Sequence, residues 1–190
     1  MKLLACPKCH QQLHLENKTL KCENNHCYDI SKRGYINLLL NPDKATNNPG
    51  DSKESLVARK AYLNKGYYDP ILNQVITCID EFKHQDDLSI LDLGCGEGYY
   101  TQGLKKHFEN SNIYGLDISK IAIDMATRYR KDVTWLVGNS KNIPILDHSL
   151  DFICALFTVV NQDELKRALK ENGYICLLYT SDAADEARSV

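Results

Sequence analysis

No stretch of this 190-residue chain is apolar for long enough to cross a membrane, which takes about 20 consecutive apolar residues. Nothing at the amino terminus reads as a secretory leader, because Met1-Lys2-Leu3-Leu4-Ala5 runs at once into a cysteine pair. The eight cysteines lack the spread of a disulfide framework. Cys6, Cys9, Cys22 and Cys27 crowd into the first 27 residues, while Cys78, Cys95, Cys154 and Cys176 are scattered through apolar or turn contexts. Such clustering reads as metal binding in a reducing compartment, and a cytoplasmic location is expected. Net charge is only −2, but it is unevenly placed. Residues 1–66 carry 11 Lys/Arg against 6 Asp/Glu, and residues 67–175 carry 11 against 16. A basic amino-terminal part on an acidic body suits a polyanionic partner, and a solvated basic face accounts for the same numbers.

What the chain does contain is organised around residues 89–101. A buried strand at 90–93 runs into a turn with glycine at every second position, Gly94, Gly96 and Gly98, and an amphipathic helix follows. Glycine lets the backbone bend sharply and lets a ligand come close, while the amides opening the next helix face that ligand. This pattern belongs to the first βα turn of a doubly wound α/β sheet. A dinucleotide fingerprint would read G-x-G-x-x-G; here Asp92 stands two residues before the first of three alternating glycines. A second strand at 112–117 ends in Asp117, nineteen residues after Gly98, where a carboxylate can accept both hydroxyls of a ribose.

The first forty residues form a small cysteine module. Cys6-Pro7-Lys8-Cys9 is one knuckle; after twelve intervening residues comes Cys22, then His26 and Cys27. Two such pairs on short hairpins close a tetrahedron around Zn²⁺, which supplies stability that so few residues cannot bury. Cys6, Cys9, Cys22 and His26 are the expected ligands, with Cys27 in reserve for the fourth place. His10 and His14 read as surface residues. Lys32, Arg33 and Tyr35 leave the module together and could meet nucleic acid, or Tyr35 could pack on the zinc module.

Residues 41–51 read as a linker of turn formers. Ser52 then caps a helix to about Asn64, and Asp69-Pro70 opens a second whose apolar residues recur at helical spacing. Beyond the glycine turn, helices are expected at 99–108, 119–129 and 164–170. Strands are expected at 133–137, 151–157 and from Tyr174 after an Asn172-Gly173 turn, making five in all.

The combination of Cys6/Cys9/Cys22/His26, Gly34-Tyr35-Ile36-Asn37-Leu38-Leu39, Pro49-Gly50-Asp51-Ser52 and the run from Asp92 to Thr101 resembles the 23S rRNA guanine-N1 methyltransferases, from about residue 5 to 175. The resemblance implies a Rossmann-like class I methyltransferase sheet of α/β type preceded by a zinc ribbon. The divisions are 1–40 for a ribbon that contacts RNA, 41–66 for linker and helix, and 67–175 for the S-adenosylmethionine domain. It implies S-adenosyl-L-methionine and Zn²⁺ as cofactors, 23S rRNA as partner, no membrane, and a homodimer as the candidate assembly. Cofactor contacts carry over onto Asp92, Gly94, Gly96, Gly98, Tyr99, Asp117, Asn139 and Ser140; no catalytic base can be named.

The sequence departs from that family twice. Val159 stands where the family commonly has proline, after Phe157 and Thr158. A class I core has seven strands, and residues 176–186 look like a translated sequencing adapter. Residues 176–190 are therefore expected to be artefactual, with the native sequence breaking off in this chain near Ile175 and the last two strands of an incomplete methyltransferase domain missing beyond it.

Overall fold

The computed structural model describes residues 2–40, 51–128 and 130–179. The expected linker at 41–50, Tyr129 at the expected end of one helix, and the tail from 180 onward lie outside the described residues.

The amino-terminal module is a three-stranded antiparallel ribbon of β1 (His14–Glu16), β2 (Thr19–Lys21) and β3 (Cys27–Asp29) in that order. Asn17, at φ 59°, makes the tight turn between the first two. Then follow β4 (Ile36–Asn37), α1 (Lys53–Leu63), α2 (Asp69–Phe82), β5 (Ser89–Leu93), α3 (Tyr99–His107), β6 (Asn112–Asp117), α4 (Lys120–Ala126), β7 (Thr134–Val137), β8 (Leu150–Leu156), α5 (Gln162–Ala168) and β9 (Leu169–Leu178). The six strands from β4 onward form one parallel sheet in the order β4-β7-β6-β5-β8-β9. The chain winds outward from β5 in both directions, so the carboxyl ends of β5 and β8 flank the topological switch point.

Local signals set most of the elements. Ser52 caps α1 by accepting a hydrogen bond from the amide of Ser55, and Asn161 caps α5 by accepting from Asp163 and Glu164. Pro70 sits in the first turn of α2, where its missing N–H costs nothing. Two strand expectations need correction. A sixth strand is present, because Ile36 and Asn37 pair with Leu136 and Val137. The last strand starts early: the chain passes from α5 into β9 at Leu169, residues 170–173 stand opposite Asp151 alone as an irregularity, and regular pairing with β8 begins at Tyr174, just after Asn172-Gly173. The strand continues through Cys176, Leu177 and Leu178, which pair with Cys154, Ala155 and Leu156.

Alternation along the strands divides the core between two faces. Ile90, Ile113, Trp135, Val137, Phe152 and Cys154 turn one way, toward Val75 and Ile79 of α2, Leu104 of α3, and Ile123 and Ala126 of α4. Leu91, Leu93, Leu116, Leu136, Ile153 and Ala155 turn the other way. There α5 covers part of the sheet with Leu165 and Ala168, and the ribbon covers the rest with Leu4, Leu13 and Leu20. Those three leucines are at most 3% exposed; each fully buried leucine is worth about 1.5–3 kcal/mol. The ribbon is thus a layer of the sandwich.

Its seam runs along the loop that crosses from β7 to β8. The amide of Ala5 donates to the carbonyl of Pro144 (3.0 Å), that of Leu146 donates to Leu3 (2.9 Å), and Asn142 Nδ2 donates to Pro7 (2.8 Å). Tyr35 also ends in the core, 8% exposed, but among the residues of the helix-covered face rather than on the ribbon. Arg33 pairs with Asp124 of α4 at 2.8 Å, while Lys32 is exposed.

Candidate functional site

Two sites emerge. The first lies where β5 ends. The amides of Gly94 and Cys95 donate to the carbonyl of Leu116 (2.8 and 3.0 Å), which bends the chain toward β6. Gly96 then donates its amide to Asp117 Oδ2 (2.9 Å), and Asp117 Oδ1 accepts from Ser119 (2.7 Å). Gly98, at φ 87°, ends the turn as the N-cap of α3.

The three glycines differ in purpose. A Cβ on Gly98 would stand 2.6 Å from the Trp135 ring, so this position is closed by packing. Around Gly96, at φ 54°, a Cβ would meet nothing within 4 Å. Open space there belongs to a cavity of about 270 Å³.

Asp92, Gly94, Gly96 and Tyr99 line this cavity, as the sequence suggests. Gly98, Asp117, Asn139 and Ser140 stand outside its lining. Asn139 caps its own loop, its Oδ1 accepting from the amide of Lys141 (3.0 Å). Sequence reasoning missed Glu97, which is 3% exposed, as well as Tyr68 and Tyr100 on the wall, whereas Phe157 opens the 157–159 segment that the resemblance puts beside the target base. Phe157 follows β8 at φ 59°, a left-handed conformation uncommon for a bulky residue. The Tyr100 hydroxyl is buried with no partner among the described residues.

Electrostatics give the cavity its character. Burial pushes the Asp92 carboxyl up to about 7, despite a hydrogen bond donated by Thr101, and the charges of Asp117 and Glu97 push the same way. Glu97 is raised by burial and opposed by the cations Arg59 and Lys60. Asp117 is likewise raised by burial, against the pull of the Ser119 and Gly96 amides. Three carboxyl groups thus surround one glycine turn, each paying for burial. The turn favours a ligand that brings positive charge.

The second site is in the ribbon. Cys6 and Cys9 lie on a tight knuckle in which the amides of Cys9 and His10 donate to the Cys6 carbonyl. Cys22 and His26 lie on a matching one, where Asn25 donates to the Cys22 carbonyl. The four ligand atoms fall within 4.8 Å of one another. His26 Nδ1 is 3.4 Å from Cys6 Sγ and 3.5 Å from the sulfurs of Cys9 and Cys22, and those two sulfurs are 3.7 Å apart. Bonds of about 2.3 Å to sulfur and about 2.0–2.1 Å to nitrogen in a tetrahedron give edges near 3.8 and 3.6 Å. A disulfide would need about 2.05 Å. The donor set therefore fits Zn²⁺. The backbone amide of Gln11 helps hold the Cys9 thiol down at about 6, and the Tyr28 hydroxyl lies 3.3 Å from Cys6 Sγ, placed to donate to a thiolate. Cys27 is exposed and turned away, donating to the carbonyl of Asn25 (3.4 Å).

Comparison with known proteins agrees with this division. Residues 4–45 match the family model described as RlmA, N-terminal, and residues 90–173 match the model described as Methyltransferase domain. The chain joins an RlmA-type zinc ribbon to an S-adenosylmethionine methyltransferase domain. It has family-level homology to 23S rRNA N1-methyltransferases at modest identity. The 23S rRNA (guanine(748)-N(1))-methyltransferase of Streptomyces fradiae is 28% identical over 180 residues, covering 94% of this chain and 63% of that protein. A Bacillus subtilis candidate 23S rRNA (guanine-N1)-methyltransferase, YxjB, is 29% identical over 180 residues, covering 91% and 62%. The chain thus spans less than two thirds of the length of these relatives. Among solved structures, a candidate S-adenosylmethionine-dependent methyltransferase from Methanococcus maripaludis superposes with a TM-score of 0.56 at 22% identity, covering 76% of this chain and 73% of that one. At that identity the likeness concerns the methyltransferase fold alone. No helix among the described residues is long and apolar enough to cross a membrane.

Proposed function

We propose that this protein transfers a methyl group from S-adenosylmethionine to N1 of a guanine in 23S rRNA. The observation that carries the cofactor assignment is the set of carboxyls around the glycine turn, with Asp92 and Glu97 buried and Asp117 partly buried. A dinucleotide would bring a pyrophosphate into that field and be repelled, whereas a sulfonium and an ammonium group are attracted. Bound there, S-adenosylmethionine supplies a methyl group already activated by its positive sulfur.

The chain's own task is to hold and align the reactants. Gly94 and Gly96 admit the amino-acid end of the cofactor, with Asp92, Glu97 and Tyr99 beside it. Asp117 would accept the ribose hydroxyls through lone pairs that the Gly96 and Ser119 amides do not use. Asn139 and Ser140, at the end of β7, would meet the adenine edge. Gly98 shapes the turn from behind. Cys6, Cys9, Cys22 and His26 would hold one Zn²⁺, which keeps the ribbon closed against the sheet.

The substrate assignment rests on the ribbon, because the glycine turn by itself is common to many methyl acceptors. The Streptomyces fradiae and Bacillus subtilis proteins that share ribbon and turn are named for guanine N1 of 23S rRNA. A methyl group on N1 blocks the Watson–Crick edge, so reverse transcriptase should stop at the modified base. Incubation of the protein with 23S rRNA and radiolabelled S-adenosylmethionine should give label and a new stop at one guanine. Label on another atom, or none by a protein that binds the cofactor, would refute the substrate assignment.

A further inference from the structure

Four aromatic rings form a continuous ladder from the surface to the cofactor cavity. Tyr67, 61% exposed in the turn between α1 and α2, lies 5.1 Å from the ring of Tyr62, which is 50% exposed at the end of α1. Tyr62 meets Tyr68 edge-on at 6.1 Å, and Tyr68 meets Phe157 in the same manner at 6.1 Å. Tyr62, Tyr68 and Phe157 all line the cavity that holds the glycine turn. Phe157 is held at positive φ yet remains 44% exposed, so the fold bears a strained backbone there to present an aromatic ring beside the site.

Tyr62 and Tyr67 are large exposed rings in contact with each other, and Tyr68 carries the ladder inward to the helix-covered core. Here the rings adjoin a stretch of α1 and its exit that carries the cations Arg59 and Lys65. Arg59 is held by Asp51 at 2.6 Å with half of its side chain exposed, and Lys65 is exposed. Aromatic faces flanked by cations are the chemistry that binds single-stranded nucleic acid: bases stack on the rings and phosphates follow the charges. An apolar protein partner would find no use for the cations, and a duplex offers no free base face.

We propose that the ladder Tyr67–Tyr62–Tyr68–Phe157 is a stacking rail for single-stranded RNA, with the target base on Phe157 and a neighbouring base on Tyr62 and Tyr67. It rests on the reading of the cavity as the cofactor site, and it gives that site a defined side of approach. Access of this kind suits a base that must leave its stack before its Watson–Crick edge can react.

The test uses a short fluorescein-labelled single-stranded RNA, read by anisotropy, with S-adenosylmethionine binding followed separately by calorimetry. Tyr67 is exposed and stands outside the cavity lining, so its replacement leaves both core and cavity untouched. Y67A should weaken RNA binding by roughly 5- to 100-fold, the loss expected when one base loses its stacking partner. Y67F, which keeps the ring face, should bind like the parent, and both variants should bind S-adenosylmethionine like the parent. A parent that binds the RNA no better than Y67A does would overturn the rail while leaving the cofactor reading intact. A parent that binds no S-adenosylmethionine would overturn the cofactor reading, and the RNA arms would still decide whether the rings take RNA.

Discussion

Asp117 at the end of β6 receives the amide of Gly96 across 2.9 Å, tying the second strand of the alternating run to the glycine turn after the first. The carboxylate that was expected to hold a ribose is therefore also a brace for the loop that faces the ligand. Both roles use its carboxylate oxygens.

Asp117→Ala should weaken S-adenosylmethionine binding by roughly 1.5–3 kcal/mol, the range for hydrogen bonds to a charged group. Calorimetry with the cofactor measures this directly. An unchanged affinity would remove Asp117 from the site, and tight binding of NAD by the parent protein would displace the methyltransferase reading altogether.

Gly96 and Gly98 should respond differently to alanine. At Gly98 the new Cβ meets both a positive φ and the Trp135 ring, so Gly98→Ala should cost roughly 2–4 kcal/mol of folding stability. At Gly96 only the backbone conformation objects, at about 1–2 kcal/mol, but the methyl group projects into open cavity. Denaturant unfolding and calorimetry together should show Gly98→Ala as the larger stability defect and Gly96→Ala as the larger loss of cofactor affinity.

Metal analysis should find one zinc ion per chain, retained by Cys27→Ser and lost from Cys9→Ser. Because ribbon leucines cover one face of the sheet, chelation should lower a single cooperative melting transition rather than remove a small separate one. Zinc retained in full by Cys9→Ser would show the ligand set to be wrong.

Asp92 links stability to pH. Its carboxyl titrates at about 7 when folded, above the ordinary value near 3.9. The folded state therefore favours the protonated form. The resulting stabilisation is fully present below about pH 4 and is lost as pH rises through 7. Asp92→Asn cannot ionise, so relative to the parent, its melting temperature without cofactor should rise steadily across that window. The two proteins share the same ribbon, so its acid lability cancels in the difference. A constant difference at every pH would mean that Asp92 is not held protonated.

Much of this was legible in the sequence because it depends on near neighbours. The strand before Gly94, the glycine turn, Asp117 at a strand end, the Ser52 cap and the spacing of the Cys/His knuckles are all local patterns. What escaped was set by distant partners. Ile36 and Asn37 form a strand only because Leu136 and Val137 lie beside them, and two residues carry no periodicity. The early start of β9 at Leu169 also escaped, because it depends on pairing with Leu150, whereas Asn172-Gly173 lies in the irregularity just before regular pairing begins at Tyr174. Arg33 looked free to meet nucleic acid and Tyr35 to meet either nucleic acid or the zinc module, but Tyr35 is buried on the helix-covered face and Arg33 is matched to Asp124. Glu97 and Tyr68 reach the cavity from separate segments, and no spacing rule connects them.

The seam between Leu4 and Ile145 joins positions 141 residues apart. A ribosome makes the ribbon first and the strands beneath it last, so Leu4, Leu13 and Leu20 stay uncovered through most of synthesis. A contact of such long range also forms slowly once its partners exist. Through that interval the knuckles can already bind their ion, since Cys6, Cys9, Cys22 and His26 all emerge within the first 26 residues. Zinc supplied during translation should therefore raise the share of nascent chain that reaches the folded state.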